Sequence, residues 1–178
     1  DVNWKQVDLY SISSTTDALK GADIAIYLVH SMMPSTRLNQ GDFEDTDILL
    51  ADNFSRAALD CNLKQIIYVG GILPKDDHTI SNHLKSRYEV EKTLGSRNTP
   101  LTSIRAGIII GPNGSSFRIV QQLVKNLPLM ACPEWTKSLN QPIDMLDALQ
   151  IIKWSVGNES TYNKPVEIGG NEIITYMD

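Results

Sequence analysis

Asp23-Ile-Ala-Ile-Tyr-Leu-Val-His30 and Gln65-Ile-Ile-Tyr-Val-Gly-Gly71 decide the fold. Both are short apolar runs with few interruptions, the pattern of strands buried on both faces. Between them the spacing predicts a helix from about Asp42 to Asn62. Phe43, Leu50, Phe54, Ala57, Ala58 and Cys61 recur along one stripe, with Glu44, Asp45, Asp52 and Arg56 mostly outside it. Strand, amphipathic helix, strand is the repeating unit of a parallel sheet. Such units commonly follow a strand and a Gly-rich turn that cradles a pyrophosphate. The sequence starts too late to contain that turn, so it reads as the later part of a doubly wound sheet.

Working outward, Lys5–Leu9 is a short strand candidate. Ser13 and Ser14 can cap a small helix that runs through Lys20 and closes at Gly21. Ile72–His78 is a loop, and a helix follows from about Thr79 to Leu94, closed by Gly95. Leu101–Ile110 is a strand, Ser115 or Ser116 caps a helix reaching Asn126, and Leu127–Lys137 is irregular. Ser138–Pro142 is a short strand candidate, Asp144–Val156 a helix, Pro165–Ile168 a strand, and Glu172–Tyr176 a short element after a Gly-Gly turn. Strands alternating with helices predict an α/β fold, a three-layer sandwich around a mainly parallel sheet. Ligands of such sheets bind beyond the carboxyl ends of the strands. That rule selects His30-Ser31, Gly70-Gly71 and the segment after Arg105 as the rim of a cleft.

Composition narrows the classes. The 178 residues suit one domain, and 42% apolar with 21% charged residues is ordinary for a globular chain. A net charge of -5 and no basic stripe argue against nucleic acid as a partner. No apolar run approaches a membrane span and no signal peptide opens the chain, so the expected setting is the cytoplasm. Cys61 and Cys132 set up no disulfide framework, and Cys61 reads as a buried thiol. Trp4, Trp135 and Trp154 read as packing residues, and the histidines and carboxylates lack metal-site spacing. Gly107-Ile-Ile-Ile-Gly-Pro-Asn-Gly114 mimics a phosphate loop. Three β-branched residues place Gly107 inside a strand, and Pro112 removes a donor that a phosphate nest needs. Asp1 and Asp178 read as cut ends of something longer.

Seven stretches, in order, carry a resemblance. They are Tyr27-Leu-Val-His-Ser-Met32, Asn53-Phe-Ser-Arg-Ala-Ala58, Ile66-Ile-Tyr-Val-Gly-Gly71, His83-Leu-Lys-Ser-Arg-Tyr-Glu-Val-Glu91, Ile104-Arg-Ala-Gly-Ile-Ile-Ile-Gly-Pro112, Gln141-Pro-Ile-Asp144 and Glu167-Ile-Gly-Gly170. The ordered set resembles the atypical and extended short-chain dehydrogenase/reductase superfamily, more narrowly its nucleoside-diphosphate-sugar epimerase-like and NmrA-like NAD(P)-binding members. The resemblance implies one Rossmann-like domain over residues 1–178, N-terminally truncated by two β-α units, with 115–178 forming the small substrate-side part. Phe117–Trp135 and Asn140–Asp144 would border the substrate, with Met130 and Leu127 as an apolar lining. It implies NAD or NADP as cofactor, a small-molecule substrate of unknown identity, and leaves a homo-oligomer open. Cofactor contacts would come from Asp8 and Leu9 at the adenine, and from Leu28, Val29, His30, Ser31, Gly70, Gly71, Arg87 and Ala106 along the cleft.

The superfamily's chemistry uses Tyr-x-x-x-Lys on the helix after the glycine-ended strand. The tyrosine exchanges a proton with the substrate while the lysine lowers its pKa and holds the ribose. Two registers are on offer here. Tyr88-x-x-x-Lys92 is a literal match. His83-x-x-x-Arg87-x-x-x-Glu91 fits the family's neighbouring words better, with histidine replacing the tyrosine and arginine the lysine. Five residues separate the registers, about 140° around a helix, so only one faces the cleft. In the His83 register, Arg87 still donates to a ribose or phosphate but gives up no proton, while His83 titrates near neutrality. Gly70-Gly71 stands where a substrate-orienting hydroxyl belongs, so that role is lost or passes to Ser31.

Three functions compete on these residues. One is an NAD(P)-dependent oxidoreductase or epimerase-like enzyme using His83 or Tyr88. Another is a non-catalytic NAD(P)-binding redox sensor or assembly factor, favoured by the altered triad. The last is a truncated sheet without ligand, which predicts an exposed apolar sheet edge around Lys5–Leu9.

Overall fold

A computed structural model of the chain describes residues 2–30, 40–74, 81–112, 122 and 134–175; the side chains of 40–44, 134 and 135 are not described. The core is a four-stranded, all-parallel sheet in the order β1-β2-β3-β7. Its strands are β1 (Ile24–Tyr27), β2 (Gln65–Gly71), β3 (Leu101–Ala106) and β7 (Lys164–Ile168). Helix α2 (Gln40–Asp60) joins β1 to β2, and α3 (Asn82–Leu94) joins β2 to β3. Two short pairs stand beside the sheet: β4 (Ile109–Ile110) with β6 (Ile143–Asp144), and β5 (Leu139–Asn140) with β8 (Ile174–Thr175).

Side-chain alternation along the strands separates two cores. Tyr27, Ile66, Tyr68 and Leu101 face Ala51, Phe54 and Ala58 of α2 and Val90 and Leu94 of α3. The alanines bring α2 close, and Phe54 meets the Tyr27 ring edge-on at 4.9 Å between centroids. On the opposite face Ile67, Ile104, Ala106 and Ile168 pack against Ala148, Ile151 and Ile152 of α4 (Met145–Ser155). That face holds one polar tie. The Gln65 amide nitrogen donates to Thr102 Oγ1 and to the Ser155 carbonyl, both at 2.8 Å, and its oxygen accepts from Gly157 N at 2.8 Å. A fully buried amide with both donors used and its oxygen bonded fastens the end of α4 to the sheet.

The structure corrects several sequence expectations. Lys5–Leu9 is not a strand. Asp8 Oδ1 accepts from Tyr10 N, Asp8 N donates to Ser14 Oγ, and Ser11 N donates to the Asp8 carbonyl, so the chain turns into α1 (Ile12–Leu19). Of the two edge strands of the sheet, β1 carries the exposed apolar side chains, Ile26 and, just beyond it, Leu28. The α1 cap is Ser11, whose Oγ accepts from Ser14 N, rather than Ser13 or Ser14. Leu101–Ile110 is two strands, not one. At Gly107 an added Cβ would stand 1.9 Å from the Gln141 carbonyl oxygen, and that backbone crossing ends β3 and redirects the chain into β4. Trp4 and Trp154 are 93% and 57% exposed, not packed. Cys61 is only half-buried, its thiol donating to the Thr16 carbonyl at 3.4 Å. The expected helix at 115–126, apart from residue 122, together with Cys132 and most of the irregular stretch, lies outside the described residues.

Candidate functional site

The carboxyl ends of β1, β2 and β3 lie side by side because the strands are parallel and in register, Tyr27 beside Tyr68 and Gly71 beside Ala106. Helix α3 starts near this rim. Ser81 caps it, its Oγ accepting from Leu84 N, and Leu84 packs so near Gly71 that a Cβ there would stand 2.6 Å from Leu84 Cδ2. The glycine ending of β2 thus lets the helix start close against the strand.

One stripe of α3 carries His83 and Arg87, one helical turn apart. Arg87 Nε donates to His83 Nε2 at 3.2 Å. The accepting nitrogen must carry a free lone pair, which belongs to the neutral ring. Desolvation, then the Arg87 cation, then His30 push the His83 pKa below its ordinary value, with Asp47 of α2 opposing. Residues from the end of β1, from α2 and from α3 therefore act on one ring. Arg87 is anchored from beneath: the Tyr68 hydroxyl donates to its carbonyl at 3.2 Å. Burial raises the Tyr68 pKa, so that phenol stays protonated and committed.

Another stripe carries Tyr88, Glu91 and Lys92. Lys92 Nζ lies 4.5 Å from the centre of the Tyr88 ring, and Arg105 Cζ lies 5.7 Å from it. Glu91 takes Arg105 in a two-pronged pair, Nε to Oε2 at 3.1 Å and Nη2 to Oε1 at 2.8 Å, with Glu167 3.8 Å from Nη1. That bond raises the Arg105 pKa further. Tyr88, Glu91 and Lys92 share a groove of about 340 Å³ with Ser103, Arg105 and Lys164, over β3 and β7. The His83–Arg87 pair and the Tyr88–Lys92 pair thus have separate surroundings.

The other expected contacts fall into three groups. Asp8 spends one carboxylate oxygen on its own turn, and Leu9 packs against the first core while its carbonyl accepts from Asn53. At the end of β1, Leu28 and His30 are exposed and Val29 is half-buried. Ala106 is buried against the second core. Ser31, Leu127 and Met130 lie outside the described residues. The sequence reading passed over Tyr68, Ser103 and the Glu91–Arg105 pair. Arg105 carried a signal, a charged residue inside an apolar strand, but its partner 14 positions away had no local pattern to announce it. Among the described residues no three His, Cys, Asp or Glu side chains cluster as for a metal ion, and no helix is long and apolar enough to cross a membrane.

Comparison with known proteins adds to this geometry. No family model matches the chain. A 103-residue stretch is 28% identical to the auxiliary protein GraX of Staphylococcus aureus, covering 57% of this chain and 29% of that protein. Solved structures match far more of the chain. The Bordetella bronchiseptica enzyme WbmG in complex with NAD superposes with a TM-score of 0.74 at 14% identity, over 95% of this chain and 58% of that one. A nucleoside-diphosphate-sugar epimerase of Staphylococcus aureus gives 0.73 at 18% identity, over 98% and 57%. UDP-glucose 4-epimerase of Thermotoga maritima gives 0.73 at 12%, over 98% and 64%. The chain thus spans about three fifths of the length of these structures and under a third of its curated relative. With its parallel sheet, flanking helices and glycine-ended β2, this chain has a Rossmann-like fold, the fold it shares with these NAD-bound and sugar-epimerase structures.

Proposed function

We propose that this chain forms the nicotinamide-side part of an NAD(P)-binding site, and that the protein uses the dinucleotide as a sensed or structural ligand rather than through tyrosine-lysine proton transfer. The observation that carries this reading is the Arg87–His83 hydrogen bond. In the helix position of the family's proton donor stands a neutral, hydrogen-bond-accepting ring with a lowered pKa, which has no proton to give at neutral pH. Arg87 suits a cofactor better than it suits acid-base work. Beyond the Nε spent on His83 it has further N–H donors for a ribose hydroxyl or a phosphate. NAD(P), when bound, supplies hydride exchange at its nicotinamide. Arg87 would hold it by donation, and the glycine-ended β2 would allow close backbone approach. The name of the staphylococcal relative, an auxiliary protein, is in keeping with a supporting role.

A catalytic oxidoreductase or epimerase is the second reading. The fold shared with sugar epimerases favours it, as does the neutral His83, which as a base can accept a proton. Titration calorimetry of the whole protein with NADH and NADPH tests both. Binding is expected, with Arg87→Met weakening it about tenfold, the loss of one charged hydrogen bond. Absence of binding sinks both readings. Turnover that His83→Ala abolishes moves the assignment to the second.

A further inference from the structure

We propose that the groove between α3 and strands β3 and β7 is a second binding site, distinct from the rim of the strand ends, for a small molecule bearing a phosphate or carboxylate. Two independent observations lead there. The first is an orphaned donor. Ser103 is 3% exposed, and its hydroxyl is the one buried side-chain polar atom without a hydrogen-bond partner among the described residues. Buried hydroxyls nearly always have partners, and one left open on a cavity wall is ready for an acceptor from outside. Pro165, opposite Ser103 on β7, has no backbone N–H to offer and shapes the groove as an apolar wall.

The second observation is charge. In a chain of net charge -5, this groove is lined by Lys92, Arg105 and Lys164 against the single carboxylate of Glu91. Glu91 satisfies Arg105, and neither Lys92 nor Lys164 has a carboxylate partner among the described residues. Lys92 is exposed and rests over the Tyr88 ring, so it swings inward at little cost. An anion entering the groove meets Lys92 and Lys164 at the mouth, the Ser103 hydroxyl at the floor and the Tyr88 ring along one side. The volume of about 340 Å³ is at the small end of ligand pockets, enough for a metabolite-sized acid and too little for a dinucleotide. Arg105 is neutralised by Glu91, so the net positive charge offered to an anion rests on Lys92 and Lys164.

The test is thermal unfolding of the whole protein with rising inorganic phosphate, and in a second series acetate, against potassium chloride of equal ionic strength. Wild type, Ser103→Ala, Lys92→Gln and Arg87→Met are compared. The non-specific salting-out effect of phosphate is common to all four and cancels. A saturable rise in Tm is expected in wild type and Arg87→Met, with apparent affinity falling about tenfold in Ser103→Ala and Lys92→Gln. Ser103→Ala without ligand should melt at or above wild type, because the orphaned hydroxyl is gone. The stronger series names the ligand's acidic group. No saturable rise in either series overturns the proposal. So does a rise lost in Arg87→Met but kept in Lys92→Gln and Ser103→Ala, which places the anion at the strand-end cleft.

Discussion

On one side of α3 an arginine donates a single hydrogen bond to an exposed histidine. On another, an arginine from the sheet is gripped twice by a glutamate, the two side chains only 15% and 13% exposed. Both pairs draw on one 13-residue helix, and they do opposite jobs. The first lies at the rim, its histidine exposed and its arginine half-buried, held by one bond and free to exchange partners, as a ligand contact must be. The second is desolvated, strong when intact and costly when broken. A functional contact and a structural one are told apart here by burial and by the number of bonds, not by residue type.

Breaking the buried pair gives the largest expected effect. Glu91→Ala leaves the Arg105 guanidinium with only the distant Glu167, and should lower stability by about 3 kcal/mol in urea unfolding. Replacing both partners together, Glu91→Leu with Arg105→Met, should recover most of that loss. A loss under about 0.5 kcal/mol for the single change would class the pair with surface bridges and erase the contrast.

Gly71→Ala comes next, because its methyl must displace Leu84 at the start of α3. A cost of about 1–2 kcal/mol is expected from such overpacking, with amide shifts concentrated at Leu84 and its neighbours. A neutral outcome would mean that the helix start gives way freely.

The rim pair answers to pH. The folded His83 pKa lies below the ordinary 6.5, so the unfolded chain takes up this proton first. Its contribution to stability is complete above that value and is lost as pH falls through the folded pKa. His83→Gln should flatten this part of the pH–stability curve. In Arg87→Gln the imidazole titration followed by NMR should move partway back toward 6.5, since desolvation remains. An unmoved titration would remove Arg87 from the ring's surroundings.

The smallest effect belongs to Tyr88→Phe. The ring that meets Lys92 and Arg105 survives, so stability and NAD(H) affinity should both stay within about 0.5 kcal/mol of wild type. Complete loss of a turnover would hand the chemistry to the Tyr88 register and reverse the two sides of α3.

The parallel sheet was legible because its strands are continuous apolar runs, and the glycines after Val69 and Leu94 mark where elements stop or approach closely. Lys5–Leu9 misled because its alternation is overridden by three hydrogen bonds at Asp8. The break at Gly107 was hidden for another reason. Its cause is the Gln141 carbonyl, far along the chain, and no local pattern announces a distant backbone. The site divides in the same way. His83 and Arg87 stand one turn apart, so their meeting followed from helix geometry. The Glu91–Arg105 clamp and the orphaned Ser103 exist only once β3 is laid beside α3.

The Gln65 amide has a consequence for motion. Gly157 lies in an exposed turn after α4, with φ of +69°, yet its N–H points at the buried Gln65 oxygen 2.8 Å away. A turn proton of this kind ordinarily exchanges with solvent by local fraying. This one is held by a buried acceptor, so its exchange should be slow and should report the opening that parts the end of α4 from the sheet, read from a single signal at the surface.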